Sequence, residues 1–359
     1  MSVVADVAAY EAWLRMHCNV VERGLKKKHK RMAKSSLLFF RATCFRFARQ
    51  LPVIAPDLLR APVVTCVGDA HIENFGTWRD GEGRLVWGVN DFDEAAWLPY
   101  TVDLVRLATS ARLAGNLPIA AKDRARAILK GYRAGLRRPT PCFVNEQAPW
   151  MVRHVAKAAA KALPLSHDLS HLRRATPPAE VMRLLVGRLP DDARVDRLGA
   201  WQKGGGSLGR PRYVAVAFWQ RGMAVREAKA LVPSAWDWAR GMDSGDHLFT
   251  RLARGGYRSP DPFLDVEDEY VVRRLANDSI KIELSEHTLP AYGASLLRAM
   301  GADLAAIHLG KTGQQEEVLA DFDARGEDWL DDAAKTMAAH VDRDFSVWQT
   351  HARRRDESI

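Results

Sequence analysis

Two short acidic segments of this sequence carry the residue types that phosphate chemistry requires. Residues 68–74 read GDAHIEN and residues 90–94 read NDFDE. Phosphoryl transfer needs a carboxylate that takes the acceptor's proton, and oxygen ligands for the Mg²⁺ that neutralises the phosphates. Asp69, Asn74 and Asp91 supply that set. One such segment alone is ordinary turn chemistry, because Asp and Asn bond their own backbone, but the two segments together indicate a site.

The spacing inside these segments follows the protein-kinase catalytic loop, H-R-D-x-x-x-x-N. Asp69 precedes Asn74 by five residues, and Asp91-Phe92 stands where the kinase D-F-G would stand. Residues 67–74 resemble more closely the H-G-D-x-H-x-x-N pattern of aminoglycoside phosphotransferases and choline kinases, with only the first His replaced. The resemblance implies that Asp69 orients or deprotonates the acceptor.

The same resemblance implies roles for the neighbouring polar residues. His71 joins Asp69 as a catalytic candidate, while Asn74 and Asp91 are expected to hold Mg²⁺, with Asp93 as a candidate second metal ligand. A metallophosphoesterase is the competing class, because its motifs also contain Asp-x-His fragments. That class needs further metal ligands, and the sequence has no G-N-H-D/E and no G-H-x-H segment.

A third acid stands in a register that the phosphotransferase branch shares. Asp103 opens the segment D-L-V-R-L twelve residues after Asp91, as an Asp opens a D-L-A-R-L-like helix in that branch. Taken alone, Asp103 is a first-turn acid favoured by the helix dipole. The resemblance predicts instead that it braces the catalytic loop.

The glycine cluster of the kinase pattern lies downstream of the acidic segments. Residues 204–209 read GGGSLG and precede two β-like runs, 212–218 and 223–229. Backbone N–H groups reach phosphate oxygens most closely where no Cβ obstructs them, so this segment is predicted to cover the phosphates; a flexible linker is the alternative. The candidate contacts are Gly204, Gly205, Gly206, Ser207 and Gly209.

A cation on the second β-like run completes the predicted phosphate site. Lys229 stands in the place of the kinase V-A-I-K lysine, and Arg226 is its rival. Strand alternation directs these two side chains to opposite faces, so we expect Lys229 to enter the cleft near Asp91 and Arg226 to point away. The glutamate that pairs with this lysine in kinases is not evident, since Glu227 lies on the same strand.

The elements that must position these residues occur in a rotated order. Residues 62–67 and 84–89 read as strands before the acidic segments, residues 8–33 and 36–51 as two helices, and 101–190 as mostly helical. Residues 296–308 resemble the helix that phosphotransferases place before the catalytic loop. We therefore expect an α+β, two-lobed, kinase-like fold that is circularly permuted. Its parts are a mostly helical catalytic large lobe at 1–200, a small β-rich nucleotide lobe at 201–290, and helices completing the large lobe at 291–359.

Composition adds limits on location and partners. The 359 residues contain no stretch of eighteen consecutive apolar residues and no C-x-x-C spacing among four cysteines, so a membrane span and a zinc site are not indicated, and a cytoplasmic protein is expected. The net charge of +9 attracts anions without choosing among them. The basic run 26–34 is either a solvated helix face or a phosphate contact.

Residues 30–41 and 226–234, with the rest of the chain, resemble the bacterial family called domain of unknown function 2252, which has no established substrate. The expected activity is therefore an ATP- and Mg²⁺-dependent phosphotransferase with a small-molecule acceptor. AMP transfer with a reversed nucleotide and a non-catalytic nucleotide-binding regulator are the alternatives. A nucleic-acid-binding module rests only on the basic run and overall charge and is not favoured, and the oligomeric state stays open.

Overall fold

The chain folds as a mixture of α-helices and antiparallel β-sheets. The structure, a computed structural model, describes residues 2–115, 117–202, 205–242, 247–277, 279–281, 290–310 and 313–357. The helices are Val3–His17 (α1), Glu22–Met32 (α2), Ser36–Ala42 (α3), Cys44–Ile54 (α4), Thr101–Leu113 (α5), Ala121–Arg137 (α6), Val144–Gln147 (α7), Pro149–Lys161 (α8), Leu165–Ser170 (α9), Ala179–Gly187 (α10), Ala235–Arg240 (α11), Phe249–Ala253 (α12), Pro290–Leu309 (α13), Gln315–Ala324 (α14) and Trp329–Glu357 (α15). None of these described helices is long and apolar enough to cross a bilayer.

The strands of the described residues form three antiparallel sheets. They are Val63–Cys66 (β1), Phe75–Arg79 (β2), Leu85–Val89 (β3), Ala96–Pro99 (β4), Cys142–Phe143 (β5), Arg173–Arg174 (β6), Arg194–Ala200 (β7), Arg212–Trp219 (β8), Gly222–Ala230 (β9), Asp265–Glu267 (β10) and Tyr270–Arg274 (β11). The largest sheet has the order β10-β11-β9-β8-β7-β6, and the smaller ones are β1-β4 and β2-β3-β5.

Register in the six-stranded sheet is set by the tight hairpin between β8 and β9. Its two loop residues, Gln220 and Arg221, have positive φ angles of 47° and 66°, as the two-residue hairpins that match strand twist require. The resulting pairing sets Arg212 opposite Lys229, and β11 sets Arg273 opposite Glu227. Opposed residues share a face, so these four side chains emerge on one side of the sheet.

The two small sheets hold the acidic segments close together. Strand β1 leads into residues 67–74, and β3 leads into residues 90–94. Phe75 at the start of β2 pairs with Val89 at the end of β3, and Asn90 N donates to Asn74 O at 3.3 Å. The antiparallel hairpin thus brings both segments to the same end of β2 and β3.

The helical core beneath these sheets depends on close helix approach. Helix α13 packs along α6, where a Cβ on Gly131 would come within 1.9 Å of the Arg298 carbonyl oxygen. Likewise, a Cβ on Gly301 would lie 2.2 Å from the Ile128 carbonyl oxygen. Glycine is therefore required at both positions for the two backbones to meet, and this contact fixes α13 beside α6.

Several sequence-based expectations need correction. The helix expected at 8–33 is two helices, because Cys18 is extended after α1 and the β-branched pair Val20-Val21 precedes α2. The helix expected at 36–51 is divided into α3 and α4 at Thr43. The Thr43 hydroxyl donates to Phe39 O, and the Thr43 backbone leaves the helical conformation. Within the region expected to be helical, 101–190, β5 and β6 are strands; β6 and β7 join the six-stranded sheet, which thus includes residues before 201.

Candidate functional site

A polar cleft of about 350 Å³ joins the acidic segments to the glycine segment and the six-stranded sheet. Most of the predicted site residues line it. They are Asp69, His71, Asn74, Asp91, Asp93, Gly205, Gly206 and Ser207. Lys229 contacts two of these residues from the sheet, whereas Gly204 lies outside the described residues. The two halves of the sequence pattern therefore meet in one place.

The loop that carries Asp69 is braced from below by Asp103. Val67 N and Gly68 N donate to the two carboxylate oxygens of Asp103 at 2.7 and 2.9 Å. His308 Nε2 lies 3.0 Å from Asp103 Oδ2, and Tyr132 Oη lies 2.9 Å from His308 Nδ1. The predicted brace is confirmed, and its histidine comes from the end of α13.

The brace also has the outline of a metal site, but its chemistry does not fit one. Cys66, Asp103 and His308 place ligand atoms within 4.8 Å of one another, the one such group among the described residues. Burial raises the pKa of the Cys66 thiol well above its usual value, whereas metals bind the thiolate. Both oxygens of Asp103 already accept backbone N–H bonds. The group is therefore structural.

Asp69 faces a buried arginine that sequence reasoning did not assign. Arg106 Nε lies 2.6 Å from Asp69 Oδ1, and the fully buried guanidinium stacks 4.2 Å from the centre of the Phe40 ring. Burial raises the pKa of Asp69 to about 6, and Arg106 opposes that rise. Asp69 is thus ionised at neutral pH and fixed in orientation. Arg106 is the arginine of D-L-V-R-L, so the motif itself was the available signal.

His71 lies beside Asp69 without bonding to it. His71 Nε2 is 3.9 Å from Asp69 Oδ2, which exceeds hydrogen-bond distance. Glu73 N donates to His71 Nδ1 at 3.2 Å, so the neutral ring carries its proton on Nε2. Burial holds the pKa of His71 well below its ordinary value. The imidazole is a neutral donor directed towards the Asp69 carboxylate.

Asn74 ties the two acidic segments together. Its Nδ2 donates to the backbone carbonyl of Asp69 at 3.2 Å and to that of Asp91 at 3.1 Å. An amide presents its oxygen on the side opposite its nitrogen, so Oδ1 is directed away from both carbonyls. The spacing of Asp69 and Asn74 therefore serves loop geometry while leaving an oxygen for a cation.

Lys229 makes the ion pair expected from the rotated order. Its Nζ lies 3.1 Å from Asp91 Oδ1 and 2.6 Å from Asp93 Oδ1. Arg226 faces away, because its Nε donates to Arg188 O at 2.6 Å and its guanidinium stacks over Phe263. The expected proximity of Lys229 to Asp91 and the opposite direction of Arg226 are both confirmed.

The two carboxylates at Lys229 are electrostatically unequal. Burial and the neighbouring Asp91 carboxylate raise the pKa of Asp93. Burial acts the same way on Asp91, but the Lys229 ammonium, the hydrogen bond with Asp93 and the Arg273 guanidinium together outweigh it and lower the pKa of Asp91. The Asp91 side chain is 40% exposed against 8% for Asp93. Asp91 is therefore the charged oxygen ligand that the cleft presents.

Glu227, the acid nearest to Lys229 on the same strand, is not the glutamate partner of this lysine. Glu227 is fully buried and binds Arg212 and Arg273 rather than the lysine. Burial opposes its ionisation, but these two guanidinium groups lower the pKa of Glu227 to about 2. Lys229 has the two aspartates as its partners instead.

The glycine segment is docked on the N-terminal helices. A Cβ on Gly205 would lie 3.3 Å from Arg41 Nη2, and one on Gly206 would lie 3.2 Å from Arg41 O. Gly209 has a φ of +100°, and a Cβ there would come within 2.4 Å of Leu25. Its carbonyl accepts from Val21 N at 2.8 Å. Gly209 thus serves the turn and its packing on α2 and does not line the cleft, contrary to its predicted phosphate contact.

Several cleft cations were not found from the sequence. Arg41 pairs with Glu73, and Arg210 bridges Asp93 and Glu94 at 3.1 and 2.8 Å. No spacing rule relates arginines on other elements to a loop, although Arg210 directly follows the glycine segment. Residues 26–34 have a mixed role. Lys28 is buried and Arg31 lines the cleft, while the other four lysines of the run are exposed.

A second cavity of about 500 Å³ adjoins the polar cleft and shares Asn90, Arg273 and Lys281 with it. Its lining is more apolar. The large apolar side chains are Trp78, Phe92, Leu163, Leu165, Leu264, Leu275 and Ile280. An apolar chamber opening onto a charged one suits a ligand that has a flat apolar end and an anionic end.

One known protein family matches the part of the chain that contains the acidic loops. A family model described as an uncharacterized protein conserved in bacteria, domain of unknown function 2252, matches residues 20–140. That segment is about a third of the 359 residues and contains both acidic loops and the Asp103 helix. No curated protein and no solved structure matches the chain. The match supports the family resemblance over this segment.

Proposed function

We propose that the chain is an ATP- and Mg²⁺-dependent phosphotransferase with a circularly permuted, kinase-like arrangement of two lobes and a small-molecule acceptor. One observation carries the proposal. The glycine segment lines one cleft with Asp69, Asn74 and Asp91, and Lys229 pairs with Asp91 at that cleft, although the two residues are 138 positions apart in the chain. Acidic residues of an ordinary surface turn would not be expected to pair with a lysine so distant in the sequence and to lie beside a glycine-rich segment.

The donor set in the cleft fits Mg²⁺. Asp91, Asp93 and the amide oxygen of Asn74 are hard oxygen ligands on adjoining loops, and this is the ligand type that Mg²⁺ selects. Without Mg²⁺, the Lys229 ammonium balances the charge of Asp91 and Asp93, because neighbouring carboxylates without a cation would repel one another. Bound Mg²⁺ supplies the charge that neutralises the phosphates of the nucleotide.

The remaining groups suit the two ends of ATP. Gly205, Gly206 and Ser207 offer a cover without large side chains, and Lys229 is a cation within reach of the phosphates. The adjoining apolar cavity accepts a base, which leaves the phosphates beside Arg273 at the junction of the two cavities. Arginine donors at that position suit phosphate oxygens.

Asp69 is assigned to the acceptor. The acceptor's hydroxyl oxygen forms a bond to the γ-phosphorus, the bond from that phosphorus to the β–γ bridging oxygen breaks, and ADP leaves. The hydroxyl proton passes to Asp69, whose pKa of about 6 keeps it ionised at neutral pH. Arg106 holds this carboxylate in place from beneath.

A direct test measures nucleotide binding and product identity together. Calorimetric titration with a non-hydrolysable ATP analogue should show Mg²⁺-dependent binding, and Lys229→Met should weaken it by about tenfold or more. Arg226→Met, on the opposite face of the same strand, is the matched control and should bind as the wild type does.

Phosphorus NMR of the products formed from Mg²⁺-ATP then distinguishes phosphoryl transfer from the alternative activities. ADP as the product supports phosphoryl transfer, whereas pyrophosphate with an adenylylated product would establish AMP transfer on the same site. Binding without turnover would indicate a nucleotide-binding regulator. Absence of Mg²⁺-dependent binding in the folded protein would overturn the proposal.

A further inference from the structure

A buried glutamate on the sheet face of the cleft holds two arginines in a fixed arrangement. Arg212 Nη1 lies 2.7 and 3.1 Å from the two carboxylate oxygens of Glu227. Arg273 reaches Glu227 Oε2 from the other side, with Nε at 3.0 Å and Nη2 at 2.8 Å. We call Arg212, Glu227 and Arg273 the arginine bracket.

The bracket follows from strand register. Glu227 and Lys229 are two residues apart on β9 and share a face, Arg212 stands opposite Lys229 on β8, and Arg273 stands opposite Glu227 on β11. Lys229 is balanced by Asp91 and Asp93. Within the bracket itself two guanidinium groups share one carboxylate, so the bracket carries one net positive charge, beside the net negative group of Lys229 with its two aspartates.

The two arginines also contact the glycine segment and the two cavities. Arg212 Nη2 donates to Ser207 Oγ at 3.0 Å, which ties the bracket to the glycine segment. Arg273 lines both the polar cleft and the apolar cavity, and 33% of its side chain remains exposed. The bracket therefore extends from the glycine segment to the junction of the two cavities.

We propose that the arginine bracket is a phosphate-binding subsite, in which Glu227 orients Arg273 so that its outer N–H groups bind a polyphosphate chain, while the buried Arg212 holds Glu227 and the glycine segment in place. Guanidinium groups present several donors in a rigid plane that matches phosphate oxygens. Naming the polyphosphate as that of a nucleotide rests on the proposed function, but affinity for a short inorganic polyphosphate does not. The competing role is a brace that joins β8, β9 and β11 and binds nothing.

Glu227→Gln distinguishes the two roles, because the loss of charge and the loss of arginine orientation would change the anion affinity in opposite directions. Removing a negative charge beside an anion site should by charge alone tighten anion binding. If Glu227 orients Arg273, binding should instead weaken, because the guanidinium group loses the carboxylate that directs it. The probe is inorganic tripolyphosphate without Mg²⁺, titrated by calorimetry into the full chain.

We expect Glu227→Gln and Arg273→Lys each to weaken tripolyphosphate binding by about tenfold, the size of one lost charge-assisted hydrogen bond. Arg273→Lys keeps the charge and removes the planar donors, so it decides the question if Glu227→Gln does not fold. Arg226→Lys, on the opposite face of β9, should leave the affinity unchanged. Unchanged or tighter binding in folded Arg273→Lys overturns the proposal and leaves a sheet brace.

The same titrations distinguish this inference from the proposed function. Tripolyphosphate binding that depends on Arg273, without Mg²⁺-dependent binding of the ATP analogue, would remove the nucleotide function and leave the bracket. Mg²⁺-dependent nucleotide binding together with tripolyphosphate affinity that Arg273→Lys does not change would remove the bracket and leave the function.

Discussion

Asp103 on one side, and Asp91 with Asp93 on the other, are aspartates near the polar cleft whose charges are compensated in different ways. Under the loop that carries Asp69, Asp103 is fully buried and accepts two backbone N–H groups, with His308 beside it. In the cleft, Asp91 and Asp93 crowd one another and share the ammonium of Lys229. Fixed backbone donors make the first region a structural brace. In the second region the charge that Asp91 and Asp93 share is a single side-chain ammonium, which Mg²⁺ would replace under the proposed function.

The largest effect should come from breaking the brace. Asp103→Ala leaves two buried N–H groups and His308 without their acceptor. We expect a loss of about 3–5 kcal/mol in the free energy of unfolding, measured by denaturant titration. Asp196→Ala removes an exposed carboxylate 3.7 Å from Arg197 and should change stability by less than about 1 kcal/mol. Equal stability changes in the two variants would show that the brace is dispensable.

Asp69→Asn tests the residue that the brace positions. The variant keeps the side-chain shape but cannot accept the acceptor's proton, so turnover should fall by about a hundredfold to a thousandfold. Phosphate release from Mg²⁺-ATP measures it without a known acceptor. Nucleotide binding should stay nearly unchanged, and wild-type turnover should rise as pH passes about 6, where Asp69 ionises. Normal turnover by the variant would exclude Asp69 as the base.

Asp91→Asn tests the cleft as a metal site. The exposed carboxylate supplies both charge and oxygen ligation, which an amide replaces only in part. Mg²⁺-dependent nucleotide affinity should fall by about a hundredfold, while thermal stability is retained because Lys229 keeps Asp93. Calorimetry with and without Mg²⁺ is the measurement. Affinity that still depends on Mg²⁺ as in the wild type would remove Asp91 from the ligand set.

The smallest effect concerns the pH dependence of stability. The pKa of Asp93 is raised in the folded chain, so above the ordinary pKa of about 4 the unfolded chain releases its proton first. Stability from this group should therefore fall as pH rises from about 4 towards neutrality. Asp93→Asn should remove a decline of about 1–3 kcal/mol. Unfolding curves at pH 4.5 and 7.5 measure it, and parallel declines in both proteins would contradict the raised pKa.

Local sequence predicted the parts of the site that lie within single loops or strands. Asp69 and Asn74 share one loop, so their spacing translated directly into the bond from Asn74 to the Asp69 carbonyl. Alternation along β9 correctly separated Lys229 from Arg226. Motif order also anticipated the meeting of Lys229 and Asp91. Gly209 was misassigned because a positive φ and a phosphate contact both favour glycine.

The sequence by itself determined the two acidic loops, the glycine segment and the face on which Lys229 emerges, because these depend on neighbouring residues and on strand period. Only the tertiary structure decided which arginines enter the site. Arg41 reaches Glu73 from α3, and Arg273 meets Glu227, 46 residues away in the chain, through the pairing of β9 with β11. Such pairings depend on helix packing and hydrogen-bonded strand order, which no local spacing encodes.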